Sequence, residues 1–326
     1  MRDLSRRELL ATLPAAVLAL RRGCTAASTS GKPMRGAFII MATPYTASGA
    51  VDYDDLAREV QFLEKCGVHG MVWPQLASEF ASLSREERVR GMEVLARAAA
   101  GRKAALVLGV QGPNTEAALE YLQAAEKLSP DAVIAIPPRE AKSMDDVRAY
   151  YKALAGATRR PLWIQTTGGA PGLVPTVELL IELAREFPHC GYVKEEANPV
   201  IERMKALAAA RPAIKAVFSG AGGKGMLYEM RLGFDGTMPG APIADLYPQI
   251  WDHYQAGRRE KAREIFQLLT LMLNLEQQIP NSRPYLMKKR GVFKTALSRQ
   301  NKHELTPEET AEIDYHFAAL ARYLKA

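Results

Sequence analysis

Eight times between residues 36 and 257, a short apolar run gives way to a longer stretch of helical period. The runs are AFIIMATP (37–44), GMVWP (70–74), AALVLGV (104–110), AVIAIPP (132–138), PLWIQ (161–165), GYVK (191–194), AVFSG (216–220) and DGTMPG (235–240). Between them lie helical candidates at 54–66, 84–100, 114–128, 143–157, 174–187, 198–210, 222–232 and 243–256. Runs this short and apolar suit strands buried on both faces, as in a parallel sheet covered by helices. Eight βα units in about 220 residues predict an α/β fold, a (β/α)8 TIM barrel, rather than an open doubly wound sheet. The alternation stops at 258. REKAREIFQLLTLMLNLEQQ, SRPYLMKKRGVFKTALSRQ and TPEETAEIDYHFAALARYLKA then read as three helices. The last begins with a threonine–proline start and two acids in its first turn. The expected layout is a barrel over 34–257 and a C-terminal helical extension over 258–326.

The first thirty residues do not follow this rhythm. SRRELL (5–10) sets twin arginines before the apolar ATLPAAVLAL (11–20), and the small residues of GCTAASTS follow. The order is that of a twin-arginine export signal. Leu9 stands where phenylalanine is common, and Arg21 and Arg22 interrupt the approach to the cleavage region. The expectation is a periplasmic protein, against a cytoplasmic one with a basic tail. Residues 1–34 hold six basic and two acidic residues, so the rest of the chain carries only +3 of the formal +7. That balance is no signal for nucleic acid. No run of eighteen apolar residues occurs, so no membrane span is expected. The five histidines are scattered, and Cys66 and Cys190 lack metal-ligand spacing, so no metal site is expected. Two buried thiols are the expectation for those cysteines, with a disulfide as the alternative.

In a (β/α)8 barrel the chemistry sits at the C-terminal ends of the strands. The sixth run ends YVKEEANP (192–199). A lysine is rarely buried unless paired, so Lys194 is either half of a structural ion pair or a reagent. Burial favours the neutral amine, which attacks a carbonyl and forms a Schiff base. Side chains alternate along a strand. Glu196 therefore shares the side of Lys194 and is a candidate general acid/base, while Glu195 points away and braces the scaffold.

Several segments together resemble the family of dihydrodipicolinate synthase and N-acetylneuraminate lyase. They are ATPYTASGAVDYDDL, SEFASLSREER, VKEEA and FSGAGGKGMLYEMRLGFDGTMPG, and the resemblance runs from residue 36 to about 320. It implies a class I aldolase or lyase in which Lys194 forms an imine with a 2-oxo acid or sugar acid. It implies no separate cofactor, and a homo-oligomer, dimer or tetramer.

The departures are as informative. Where the family carries Gly-Thr-Thr-Gly-Glu, this chain has Gln75-Leu76-Ala77-Ser78-Glu79. Gln165 stands where the family has its strand-five tyrosine, and a glutamine cannot relay a proton as a phenol does. The fourth-loop tyrosine aligns near Pro138 or Arg139, and Ala170 stands near the position of the synthase's arginine. The lysine-biosynthesis synthase is therefore not the expected activity. Gln165, Thr166, Ala77, Ser78 and Arg139 are candidate substrate-binding residues, Ser78 as a substitute for a lost threonine hydroxyl. Gly220 and Gly222, in SGAGGKG (219–225), are candidates for binding a substrate anion through backbone N–H groups. Two rival readings stay open: a barrel that binds a carbonyl or carboxylate ligand without turnover, and an acid/base lyase in which Lys194 is only an electrostatic clamp.

Overall fold

The structure, a computed structural model, describes residues 31–326; the export-signal expectation falls on residues outside this range. Eight parallel strands close a barrel in sequence order: β1 (Gly36–Ile40), β2 (Gly70–Trp73), β3 (Ala105–Gly109), β4 (Ala132–Ala135), β5 (Leu162–Gln165), β6 (Tyr192–Glu195), β7 (Ala216–Ser219) and β8 (Gly236–Thr237), with β8 pairing back onto β1. The intervening helices are α1 (Tyr53–Cys66), α2 (Arg85–Ala99), α3 (Thr115–Lys127), α4 (Met144–Ala157), α5 (Val177–Glu186), α6 (Val200–Ala209), α7 (Met226–Arg231) and α8 (Leu246–Gln255). Every expected run and helix has its counterpart. The starts are set by side chains that accept orphan N–H groups: Asp52 before α1, and the Ser84/Glu87 and Ser143/Asp146 capping boxes before α2 and α4.

Three of the expected helices are markedly shorter than their apolar pattern. The one predicted at 222–232 begins only at Met226, because Gly222 and Gly223 have φ of +68° and +91°, outside the right-handed helix. In the extension, α9 (Arg259–Gln278) appears as expected, while α11 (Pro307–Ala318), with a Thr306/Glu309 capping box, stops short of the expected 326. The segment 282–300, expected as one helix, is helical only over α10 (Ser282–Lys289). Gly291 at φ +71° lies two residues beyond its end. The chain from 292 to 305 then runs back over the barrel as a strap. Arg299 fastens it by donating to Glu87 at 2.6 and 2.8 Å, to Ser82 O at 2.8 Å and to Gly49 O at 2.9 Å.

The barrel splits its side chains by parity. Phe38, Ile40, Val72, Val107, Ile134, Trp163, Phe218 and Met238 fill the interior, while Ile39, Ile164, Val193 and Val217 join the larger core under the helices. Phe38, Trp163 and Phe218 plug the interior edge to face, with Trp163–Phe218 centroids 4.6 Å apart and Phe38–Phe218 5.2 Å. Cys66 and Cys190 are buried free thiols, and burial pushes the Cys190 thiol up to about 12. No helix among the described residues is long and apolar enough to cross a membrane, and none of their His, Cys, Asp and Glu side chains cluster as a metal site.

Candidate active site

The parity that fills the barrel also aims Lys194. Tyr192 packs on the interior cluster and Val193 on the helix layer, so Lys194, the third strand residue, faces inward above the aromatic plug. Its side chain is 2% exposed, and its ammonium is doubly held: Nζ lies 2.7 Å from Glu196 Oε1 and donates to Gln165 Oε1 at 2.9 Å. Gln165 sits opposite Lys194 in the β5–β6 register and also faces inward. Its amide donates to Glu196 Oε2 at 3.2 Å and to Thr167 O at 3.3 Å, closing a ring of lysine, glutamine and glutamate. Glu196 is 17% exposed, so the pair opens to the barrel mouth through the carboxylate rather than the amine.

The remaining oxygen contact of Glu196 comes from Thr167, whose hydroxyl donates to Oε2. The sequence reading missed this residue. Its signal was available: Thr167 lies two positions beyond Gln165, as Glu196 lies two beyond Lys194. Both lie just past the ends of paired strands, and the bend after β5 carries the Thr167 hydroxyl onto the Glu196 carboxylate.

Glu195 behaves as parity requires. It is fully buried on the outer side, where it accepts from Arg203 Nε of α6 at 3.0 Å, from Thr166 Oγ1 at 2.6 Å and from Ala197 N at 2.7 Å. Thr166 in turn accepts from Glu196 N at 3.0 Å. Thr166 therefore belongs to this brace and presents no hydroxyl to a substrate, which corrects the expectation for it. The brace fixes the backbone that carries the Lys194–Glu196 pair.

Gly220 is adjacent for a steric reason. A Cβ built there would lie 2.0 Å from Glu196 Cγ and 2.2 Å from Oε1, so only glycine leaves room for that carboxylate. Its own N–H donates to Glu195 O at 2.9 Å and is not free for an anion. Gly222 makes the left-handed turn of the loop, and its carbonyl accepts from Tyr247 OH at 3.2 Å. The Gly220 N–H is therefore taken up within the fold and does not contribute to the expected anion nest.

Ser78 is also reassigned. It is fully buried, its hydroxyl donates to Met41 O at 2.5 Å and accepts from Gln75 N at 3.0 Å, and it closes the turn after β2 instead of replacing a substrate-binding hydroxyl. Ala77 lines the cavity over the barrel mouth, together with Leu76. Arg139 is exposed and turned to a separate cavity of about 230 Å3, where its guanidinium lies 5.3 Å from the Phe80 ring and its Nε 3.4 Å from Gly168 O. It does not meet the Lys194 group.

A closed (β/α)8 barrel with polar and charged side chains gathered at the C-terminal ends of its strands is the architecture of a large class of barrel enzymes. This chain belongs to the dihydrodipicolinate synthetase family, whose model matches residues 33–319, and the members of that family are lyase-type class I aldolases. Among curated relatives, the 4-hydroxy-tetrahydrodipicolinate synthase of Rhizobium meliloti is 31% identical over 171 residues, 52% of this chain and 58% of that protein, under two thirds of its length. The Parabacteroides distasonis protein of the same name is 28% identical over 248 residues, 74% of this chain and 82% of its own. A solved dihydrodipicolinate synthase from Acinetobacter baumannii, complexed with pyruvate, superposes with a TM-score of 0.79 at 22% identity, covering 89% of this chain and 99% of that one. At that identity the likeness speaks for the fold alone.

Proposed function

We propose that the chain is a Schiff-base-forming lyase or aldolase acting on a 2-oxo acid or sugar acid, and that its reaction is not that of the lysine-biosynthesis synthase. The observation that carries the reading is the Lys194–Glu196 contact of 2.7 Å at the end of β6. Against the names of the relatives stand Gln165, Leu76 and Ala77, which occupy the positions of the family's proton-relaying tyrosine and threonine pair. In their place the structure holds a carboxylate beside the amine.

On this reading Glu196 takes a proton from the Lys194 ammonium, and the freed amine attacks the C2 carbonyl. The resulting hydroxyl leaves as water, carrying a proton returned by Glu196, and an iminium remains. The iminium accepts the electron pair released when a proton or a carbon fragment departs from the adjacent carbon. Hydrolysis then restores Lys194. Gln165 steadies both partners and Thr167 holds the far oxygen of Glu196.

The test is to incubate the protein with pyruvate and a panel of 2-oxo sugar acids, add borohydride and map the mass gain. A gain at Lys194, absent in Lys194→Ala, supports the imine. Lost turnover with retained tight binding and no trapping would favour the clamp. Formation of 4-hydroxy-tetrahydrodipicolinate at rates typical of an enzyme would overturn the second half of the proposal. We propose further that the protein acts in the periplasm after twin-arginine export and as a dimer or tetramer. Cell fractionation and light scattering check these two points.

A further inference from the structure

The cavity of about 230 Å3 that Arg139 faces opens between α2, α3 and the loops after β2, β3, β4 and β5. None of Lys194, Gln165, Thr167 and Glu196 lines it. Its charged lining residues are two arginines, Arg88 and Arg139, and no acid lies among the residues of its wall. Arg88, on α2, is 3% exposed. Its guanidinium stacks on Tyr121 of α3, 3.6 Å from the ring centroid, and its Nη2 donates to Gly109 O at 3.1 Å. Its Nε is buried with no hydrogen-bond partner. No carboxylate pairs with either guanidinium among the described residues. Burial pulls the Arg88 guanidinium down to about 10, which leaves it cationic at neutral pH. A buried charge of this kind is strongly unfavourable unless it is paired.

We infer that this cavity is a binding site for a small organic acid, whose carboxylate is received by Arg88 and Arg139. Both guanidiniums flank the Phe80 ring, 5.7 and 5.3 Å from its centroid. Arg139 is otherwise held only by a long contact from its Nε to Gly168 O, 3.4 Å. The other polar groups of the wall are spent within the fold. Gln111 Oε1 accepts from Gln75 Nε2 at 3.1 Å, its Nε2 donates to Pro74 O at 2.8 Å, and Gly112 N donates to Tyr150 OH at 3.4 Å. An anion is therefore the partner that the two cations lack. A planar carboxylate matches the fork of a guanidinium. Phe80, Leu83, Ile136 and Pro137 line the rest with apolar surface, which suits the carbon skeleton of an organic acid better than inorganic phosphate. The volume is below that of a site for a drug-sized ligand, so the acid is one of a few carbons. Arg139 keeps the carboxylate role expected of it, away from the Lys194 group. The inference does not depend on the imine.

The test is titration calorimetry with isovalerate, its uncharged isostere isovaleramide and inorganic phosphate. None of the three has a ketone or aldehyde carbonyl, so none can be trapped on Lys194 as an imine. The wild-type chain is expected to bind isovalerate roughly tenfold or more tightly than the amide, the size of one charge-assisted contact, and more tightly than phosphate. Arg139→Gln, a change at an exposed position, is expected to lower the affinity for isovalerate by about fivefold or more and to leave the amide unchanged. Arg88→Gln is expected to do the same. Where that variant fails to fold, Arg88→Lys keeps the charge without the fork and carries the same direction of loss. Lys194→Ala is expected to bind isovalerate as the wild type does, which holds whether or not borohydride traps an imine. Equal affinities for acid and amide, no measurable binding of isovalerate, or phosphate bound as tightly would each overturn the inference. So would a preference that survives in the variants of both arginines or one that disappears in Lys194→Ala.

Discussion

At the scale of single residues, the site is a buried amine whose partner must be both close and correctly turned. Glu196→Gln keeps the size of the side chain and removes its ability to take a proton. We expect kcat to fall by roughly 10²–10⁴, while borohydride trapping at Lys194 persists at a slower rate. A wild-type rate in that variant would remove Glu196 from the mechanism. Gly220→Ala attacks the same carboxylate from the neighbouring strand. With a Cβ 2.0 Å from Glu196 Cγ, the side chain has to leave its place. Activity is expected to drop by at least an order of magnitude while the far-ultraviolet circular dichroism spectrum is unchanged. Unchanged activity would mean that the carboxylate position is not needed. The contact between Lys194 and Glu196 was legible in the sequence, because alternation along a strand puts residues two apart on the same side. Thr166 and Ser78 were misread for one reason: a hydroxyl is equally suited to a substrate and to a backbone, and only the partners at 2.5–3.0 Å decide which it serves.

At the scale of elements, two acids on α1 and α2 carry opposite pH signatures. Glu59 of α1 is fully buried, accepts one hydrogen bond from Ala42 N at 3.0 Å, and has no partner for its second oxygen. Burial holds its carboxyl well above the usual range. Such a group is protonated in the folded state at pH values where the unfolded chain has released its proton. Stability is therefore lost as pH rises from the unfolded value toward the folded one. Glu59→Gln should flatten that part of the profile and stabilise the protein at neutral pH relative to pH 4. Urea melts at the two pH values check this, and a steeper dependence in the variant would contradict it. Glu87 of α2 runs the other way. Its hydrogen bonds from Arg299 hold its carboxyl below the usual range, so the stability it contributes is present above the unfolded value and lost as pH falls through the folded one. Arg299→Ala should cost about 1–2 kcal/mol at pH 7 and weaken the acid dependence. A double-mutant cycle with Glu87→Gln isolates the pair. The strap that Arg299 fastens was not legible. The apolar pattern of 282–300 continues past Lys289, but Gly291 and the long-range partners of Arg299 in the barrel override it.

At the scale of the whole molecule, the eightfold rhythm of apolar runs and helical stretches was enough to predict a closed parallel barrel. Fully buried strands and amphipathic helices in strict alternation leave little else to build. The same rhythm placed Lys194 at the catalytic end and turned Glu195 away from it, since strand parity is a local property of the chain. What joins residues far apart in sequence was settled only by the tertiary structure. The barrel closes β5 onto β6, and that closure turns Gln165, Thr167, Lys194 and Glu196 into one hydrogen-bonded group. It sets Gly220 against a carboxylate of the neighbouring strand. The winding of the chain around the barrel brings Arg88 and Arg139 to the wall of one cavity. Periodicity is written residue by residue and survives without context. The partners of a side chain depend on which distant backbone comes within about 3 Å, and that distance exists only once the chain has closed.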